Sequence, residues 1–390
     1  MHRSLLFGAT AALALIPPAH AQDAEAPALA FGGRYVADTV YVAEGSGADR
    51  AFVLHDAELT VDADFDQLIG VRGLTGGVHL LATAGGAPND AAGTLQGINN
   101  IEVSAHRAKL YEAWLEQALS ESASLRIGLS DLNADFYQND SAGLLIAPAF
   151  GIGSELAATG PNGPSIFPST ALTARLALQF GDTGYARAAV VDAKSGVLGD
   201  PDGVDFTLRD GALLIAEAGT TAIGKLAVGA WRYTRRQDDI RAITPAGEPV
   251  KRVATGIYLL ADRKIAGSGG HAVNLFARAG ISEGRTTPFR GGFQAGVLIE
   301  APLVGRPDGQ LSFGVQQGFL SRGYRDVLRD EGYRSSTGEW GIELTYADKI
   351  ASFLTLQPDL QYIRRAHGEP KGRGTVVLGL RLTAEFARED

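Results

Sequence analysis

The stretch Leu354-Thr-Leu-Gln-Pro-Asp-Leu-Gln-Tyr362 changes character at every residue. Leu354, Leu356, Pro358, Leu360 and Tyr362 share one side of an extended chain, and Thr355, Gln357, Asp359 and Gln361 share the other, because successive strand side chains point to opposite faces. Such a strand is wet on one face only. The preceding segment sets Trp340, Ile342, Leu344 and Tyr346 against Glu339, Gly341, Glu343 and Thr345. The following one sets Val376, Leu378, Leu380 and Leu382 against Thr375, Gly379, Arg381 and Thr383.

Working back from these three, similar segments occur at about 309–320, 289–301, 270–281, 252–265, 224–234, 211–220, 185–193, 170–180, 123–132, 106–119, 70–84, 51–62 and 34–43. The total is sixteen, an even number, as a closed bacterial membrane barrel requires. The spacing between them carries more information than the count. Ser120–Ser122, Gly181–Gly184, Thr221–Ile223, Ala266–Gly269 and Ile350–Phe353 are short turns, whereas Gly85–Ala105, Asn133–Ser169, Lys194–Asp210, Arg235–Lys251 and Ser321–Thr337 are long. Long and short connections alternate along the chain, the pattern of a barrel with short periplasmic turns and long extracellular loops. The connection around Thr286 is a shorter member of the long class. Sixteen strands place both termini on the periplasmic side.

The N-terminus suits that destination. Arg3 precedes an apolar run from Leu5 to Ile16, and Ala19-His20-Ala21 supplies a small-x-small cleavage pattern. Residues 1–21 therefore read as a signal peptide cleaved after Ala21, and 22–33 as a short periplasmic segment. A membrane-spanning helix needs about 20 apolar residues, which this run and every later one lack. The chain has no Cys in 390 residues, so neither disulfides nor thiolate metal sites support it. Loss of Arg3 leaves 34 basic against 44 acidic residues, a formal charge of −10. That sign excludes nucleic acid as a natural partner, since its binding rests on basic contacts with phosphate.

The reading is one all-β domain, a transmembrane antiparallel β-barrel over 34–386 with residues 387–390 as an extension. Its longest connection, 133–169, follows the fifth strand. A connection of that length inside a compact domain needs a functional reason, and folding into the lumen to narrow it is one.

Several runs carry a family resemblance. Leu110-Tyr-Glu-Ala-Trp-Leu-Glu-Gln117, Gly128-Leu-Ser-Asp-Leu-Asn-Ala-Asp-Phe-Tyr137, Phe150-Gly-Ile-Gly-Ser-Glu-Leu156 and Gly163-Pro-Ser-Ile-Phe-Pro168 resemble the carbohydrate-selective outer-membrane porins. So do Asp210-Gly-Ala-Leu-Leu-Ile-Ala-Glu217, Gly224-Lys-Leu-Ala-Val-Gly-Ala-Trp-Arg-Tyr-Thr234 and the opening stretch at 354–362. The resemblance implies a sixteen-stranded barrel with an inward third loop, passing glucose and related small sugars without a cofactor. Its implied partners are those sugars, outer-membrane lipid and the barrel-assembly machinery during insertion, with a homo-oligomer left open. One departure stands out. Such chains usually end on an aromatic residue, whereas here Phe386 is followed by Ala-Arg-Glu-Asp.

A sugar site needs flat aromatic faces for C–H surfaces and charged groups for vicinal hydroxyls. Glu112, Trp114 and Glu116 share a strand face, and two carboxylates beside an indole point to the lumen, an interfacial girdle position for Trp114 being the alternative. Arg126 and Arg175 project inward, because their opposite faces are leucine-rich and a charge on the lipid face costs roughly 2–4 kcal/mol. The same argument turns Glu217 and Arg278 inward. Asn133, Asp135 and Tyr137 add polar and aromatic groups from the long loop, where Phe150 and Phe167 pin the chain to the wall. Trp231 and Arg232 can be argued onto either face.

Two other signals are weak. Gly280-Ile-Ser-Glu-Gly284 matches a nucleophile elbow in letters but leads into another strand, where that motif needs a helix. Asp200-Pro-Asp-Gly reads as a solvated turn, and the histidines show no metal-ligand spacing. The alternatives to a sugar pore are a less selective porin for small charged nutrients and a plugged structural or adhesive barrel.

Overall fold

The computed structural model describes residues 27–389 apart from 44–48, 205, 269, 334–335 and 365–373. The signal segment and its cleavage point lie outside the described residues. The first half of the sheet comprises β1 (Leu29–Ala43), β2 (Arg50–Asp64), β3 (Leu74–Gly85), β4 (Arg107–Ser120), β5 (Ala123–Ser130), β6 (Ala171–Phe180), β7 (Gly184–Asp192), β8 (Ala212–Thr220) and β9 (Lys225–Tyr233). A hairpin of β10 (Gln237–Ile243) and β11 (Pro249–Arg252) forms a separate two-stranded sheet. The wall continues with β12 (Thr255–Ala266), β13 (Ala272–Ser282), β14 (Phe289–Glu300), β15 (Gln310–Leu320), β16 (Gly338–Ala351), β17 (Leu354–Arg364) and β18 (Thr375–Glu389). Among the described residues, sixteen antiparallel strands close into one barrel, β9 pairing with β12 and β18 with β1.

Burial is inverted relative to a water-soluble sheet. On β17, Gln357, Asp359 and Gln361 are buried, while Leu360 is 45% exposed. The same holds on β16, where Glu339 and Glu343 are buried and Ile342 and Leu344 exposed. A polar interior with an apolar exterior suits a barrel whose outside meets lipid. No helix of the described residues is long and apolar enough to cross a membrane. The uncertain ninth wall strand resolves by the same parity: Lys225, Trp231 and Tyr233 are buried, while Leu226, Val228 and Arg232 are exposed.

The predicted strands all occur, with longer ends at the seam. β1 begins at Leu29 and β18 runs to Glu389, so residues 29–33 and 387–389 are barrel strand and not a leading segment and a trailing extension. Gly32 and Gly33 interrupt the alternation there, which hides the start of the strand. Gly33 pairs with Phe386, whose ring occupies the space a side chain at 33 would fill. Phe386 therefore lies within the last strand.

Among the described residues, four short α-helices sit in the connections: α1 (Phe65–Ile69), α2 (Pro88–Ala92), α3 (Ser154–Ala157) and α4 (Arg322–Asp330). The sequence reading missed α4 and the β10–β11 hairpin, both within connections predicted as loops. α4 is capped by the Ser321 hydroxyl, which accepts from the Tyr324 amide at 3.3 Å, and Leu328 packs with Phe289 and Leu320.

The connection between β5 and β6 is bonded to strands distant from its own two in the wall order. Its backbone is bonded by side chains of strands far round the wall: Asp262 of β12 accepts from the Ser141 amide at 2.9 Å and hydroxyl at 2.5 Å. Glu343 of β16 accepts from the Ile146 amide and from the Ala147 amide at 2.9 Å. Gln357 of β17 donates to the Leu144 carbonyl at 2.7 Å. Phe150 packs edge-on to Phe276 of β13, ring centres 6.2 Å apart, as the pinning role predicts. The β3–β4 connection is held likewise, Glu339 accepting from the Leu95 and Gln96 amides and Gln361 donating to the Ile98 carbonyl at 2.9 Å. These wall side chains satisfy backbone groups that the irregular connections leave without a secondary-structure partner.

Candidate porin site

The cluster is built on four consecutive wall strands. Glu116 of β4, Arg126 of β5 and Arg175 of β6 are direct cross-strand partners in one row. Glu116 accepts from Ser124 at 2.6 Å, from Arg126 Nε at 2.7 Å and from both terminal nitrogens of Arg175 at 3.1 Å. From the long loop, Asp135 meets Arg175 Nε at 3.2 Å and lies 3.9 Å from Arg126. Arg187 of β7 completes the group, donating to the Asp135 carbonyl at 2.6 Å. Three guanidinium groups and two carboxylates thus share one patch, with Asp135 fastening the loop to it. Each charge keeps an opposite partner, the condition under which partly buried ions are tolerable.

Trp114 stands at the edge of this patch. The Arg126 guanidinium lies over its ring at 4.0 Å, a cation–π contact. Gly77 of β3 and Gly128 of β5 flank it, and a Cβ at either would fall within 2.8 Å of the tryptophan side chain. Two glycines make the slot in which the half-buried indole lies, on the inner face and not in a girdle. Gly128 has φ of +151°, an extended conformation that side chains rarely adopt.

Glu112 belongs beside the cluster, at the root of the loop. A bulge in β4, where the pairing with β3 skips from Glu112 to Leu110, turns both Tyr111 and Glu112 inward. Glu112 accepts from the Asp131 amide at 2.7 Å, and the Tyr111 hydroxyl donates to Asp131 at 2.5 Å. Burial, reinforced by the nearby charge of Glu112, pushes the Asp131 carboxyl up to about 7. Asp131 also caps the loop's first turn, accepting from the Asn133 amide at 2.7 Å.

The remaining three predicted residues are placed elsewhere. Asn133 donates to the Phe136 and Gly151 carbonyls at 3.0 and 3.1 Å, bracing the loop against itself. Tyr137 is fully buried, its ring tilted by 32° against that of Tyr258 with centres 4.0 Å apart, and donates its hydroxyl to Glu155. Burial holds the Glu155 carboxyl above its ordinary range. Glu217, 2% exposed, accepts from the hydroxyls of Tyr185 and Tyr258 and from the Tyr137 amide. Arg278 donates to Gln294 and to the loop carbonyls of Tyr137, Ala149 and Gly151. These four are loop braces.

Arg187, Ser124 and Asp131 were not anticipated. Arg187 shares parity with the buried Tyr185 on β7, a signal available in the sequence. Ser124 likewise shares parity with Arg126 on β5, whereas Asp131 carries no such mark.

A closed barrel with an apolar exterior, a charged interior patch and a long connection bonded to wall side chains is the architecture of an outer-membrane porin. A model of the carbohydrate-selective porin, OprB family, matches residues 50–386, and the chain belongs to that family. A high-pH structure of Pseudomonas putida OprB superposes with a TM-score of 0.81 at 17% identity, covering 92% of this chain and 94% of that one. The outer membrane channel DcaP of Acinetobacter baumannii gives 0.58 at 12% identity over 92% and 97%. An anion-selective porin from Comamonas acidovorans gives 0.54 at 12% identity over 92% and 99%. At these identities the structures bear on the fold alone. No curated protein matches the sequence. The family assignment makes the chain a carbohydrate porin that works by passive diffusion, without catalysis.

Proposed function

We propose that the solutes are monosaccharides such as glucose, and that the loop at 133–169 forms the constriction at which they are selected. The carrying observation is the row Glu116, Arg126 and Arg175 closed by Asp135 from the loop, with Trp114 beside it. Guanidinium and carboxylate groups in alternation offer donors and acceptors to vicinal hydroxyls. The uncovered part of the indole meets the C–H face of the ring. The charges are already paired, so a neutral solute competes only weakly for them and leaves as readily as it enters. Export follows cleavage after Ala21, and insertion uses Phe386 in place as the aromatic signal.

Swelling of liposomes containing the purified protein tests this. Glucose should enter faster than an amino acid or dicarboxylate of similar size. Equal rates for all of them would leave a porin without sugar preference.

A further inference from the structure

His79 lies at the middle of β3, on the inner face, with its side chain 15% exposed. Its Nε2 is 3.4 Å from a Glu58 carboxylate oxygen and its Nδ1 3.5 Å from one of Glu112. A neutral imidazole has one N–H and one lone pair, so it would turn that lone pair toward one carboxylate; the imidazolium alone presents a donor to both.

The surroundings are acidic on each side. Glu58 of β2 and Glu112 of β4 act on His79, Asp56 and Asp62 of β2 and Asp131 beyond β5 lie near enough to feel its charge, and the Tyr111 ring meets it edge-on at 5.1 Å. The neighbouring bases are engaged elsewhere: Arg34 of β1 with Glu58 and Glu385, Arg126 with Glu116 and Asp135. Among the described residues, the cation paired with Glu112 is His79.

We propose that His79 is a specificity-determining residue of the pore, its imidazolium cancelling the charge of Glu112 at the lumen wall so that loss of its proton makes that wall attract cations. The assignment rests on the porin reading, because it needs ions to pass this wall. It is independent of which sugar the pore prefers.

The test is the reversal potential of single pores in a planar bilayer under a KCl gradient, at pH 8 and pH 10, both above the value of about 7 at which the neighbouring Asp131 ionises. The wild-type potassium-to-chloride permeability ratio should rise about fivefold with pH, the effect of one unit charge acting in opposite senses on the two ions at about 8 Å in water. His79→Gln should show the high ratio at both pH values. His79→Arg should hold the low ratio at both, which separates His79 from every other group titrating in that interval. An unchanged wild-type ratio, or a His79→Arg pore that responds to pH like wild type, would overturn the assignment. Should the Gln variant fail to insert, the wild-type and Arg arms still decide. A pore that passes no sugar yet shows this pattern upholds the role of His79 and counts against the sugar reading alone.

Discussion

Replacing Glu217 by leucine separates a loop brace from a sugar contact. The carboxylate accepts at 2.9 Å from Tyr185, at 2.8 Å from Tyr258 and at 3.2 Å from the Tyr137 amide. Leucine fits the space but leaves three buried donors facing a methyl group, each costing about 1–3 kcal/mol. Relief of the desolvated carboxylate offsets part of that, for a net loss of about 2–5 kcal/mol. Glutamine keeps one acceptor, and its amide can donate to a tyrosine hydroxyl, so Glu217→Gln should cost only about 1–2 kcal/mol. Reversible urea unfolding of the barrel in liposomes reads both values from the shift of the midpoint. Because Tyr137 is part of the loop, the leucine variant should also show a broader distribution of single-channel conductance than wild type. The reasoning fails if Glu217→Leu unfolds within about 0.5 kcal/mol of wild type, the range of an ordinary surface substitution, and yet loses sugar block of the ion current. That pair of results would put Glu217 in contact with solute.

Trp114→Ala should weaken sugar block by about 0.5–1.5 kcal/mol while the unblocked conductance stays equal or rises; unchanged block with a lower yield of inserted protein would remove the indole from the sugar path. Arg175→Met strips a buried cation from two carboxylates, so stability should fall by about 3–5 kcal/mol and the reversal potential should move toward cation selectivity. For Asp131, the folded value of about 7 lies above its ordinary 3.8, so its contribution to stability is complete below the lower value and is lost as pH rises through the upper one. Asp131→Asn should accordingly flatten the fall in stability between pH 4 and pH 7, measured by urea titration at several pH values. Unboiled protein should migrate faster than boiled protein on a denaturing gel, because a closed sheet offers detergent no edge; identical mobility would contradict closure.

The barrel was legible because its defining property is a two-residue period, and strands such as Leu354–Arg364 display that period in full. Trp114, Glu116, Arg126 and Arg175 were legible for the same reason: once lipid claims one parity, a charge on the other has only the lumen. Parity says which face a residue occupies and nothing about how far its partner reaches. Glu217 faces inward as its parity implies, yet the loop backbone meets it first. The bulge at Tyr111 was invisible, since an extra residue changes spacing by one without altering composition. α4 was hidden differently. Its run Arg322-Gly-Tyr-Arg-Asp-Val-Leu-Arg-Asp330 does set Tyr324, Val327 and Leu328 on one helical side, but over nine residues of low mean hydropathy that side is short enough to pass for part of a loop.

The seam between β1 and β18 sets an order on how this molecule comes into being. It joins Ala30 to Glu389 and Ala43 to Val376, partners more than three hundred positions apart, whereas β4 and β5 meet across two residues. Closing so long a span costs about 5 kcal/mol of chain entropy before its first contact returns anything, so neighbouring hairpins form early and the seam forms last. In the interval two long edges stand open, each able to recruit a foreign strand. β18 is the last wall strand in chain order and closes onto the first, which makes the pore an all-or-none product: a chain stopped short of β18 is not a smaller channel but a sheet with nowhere to end.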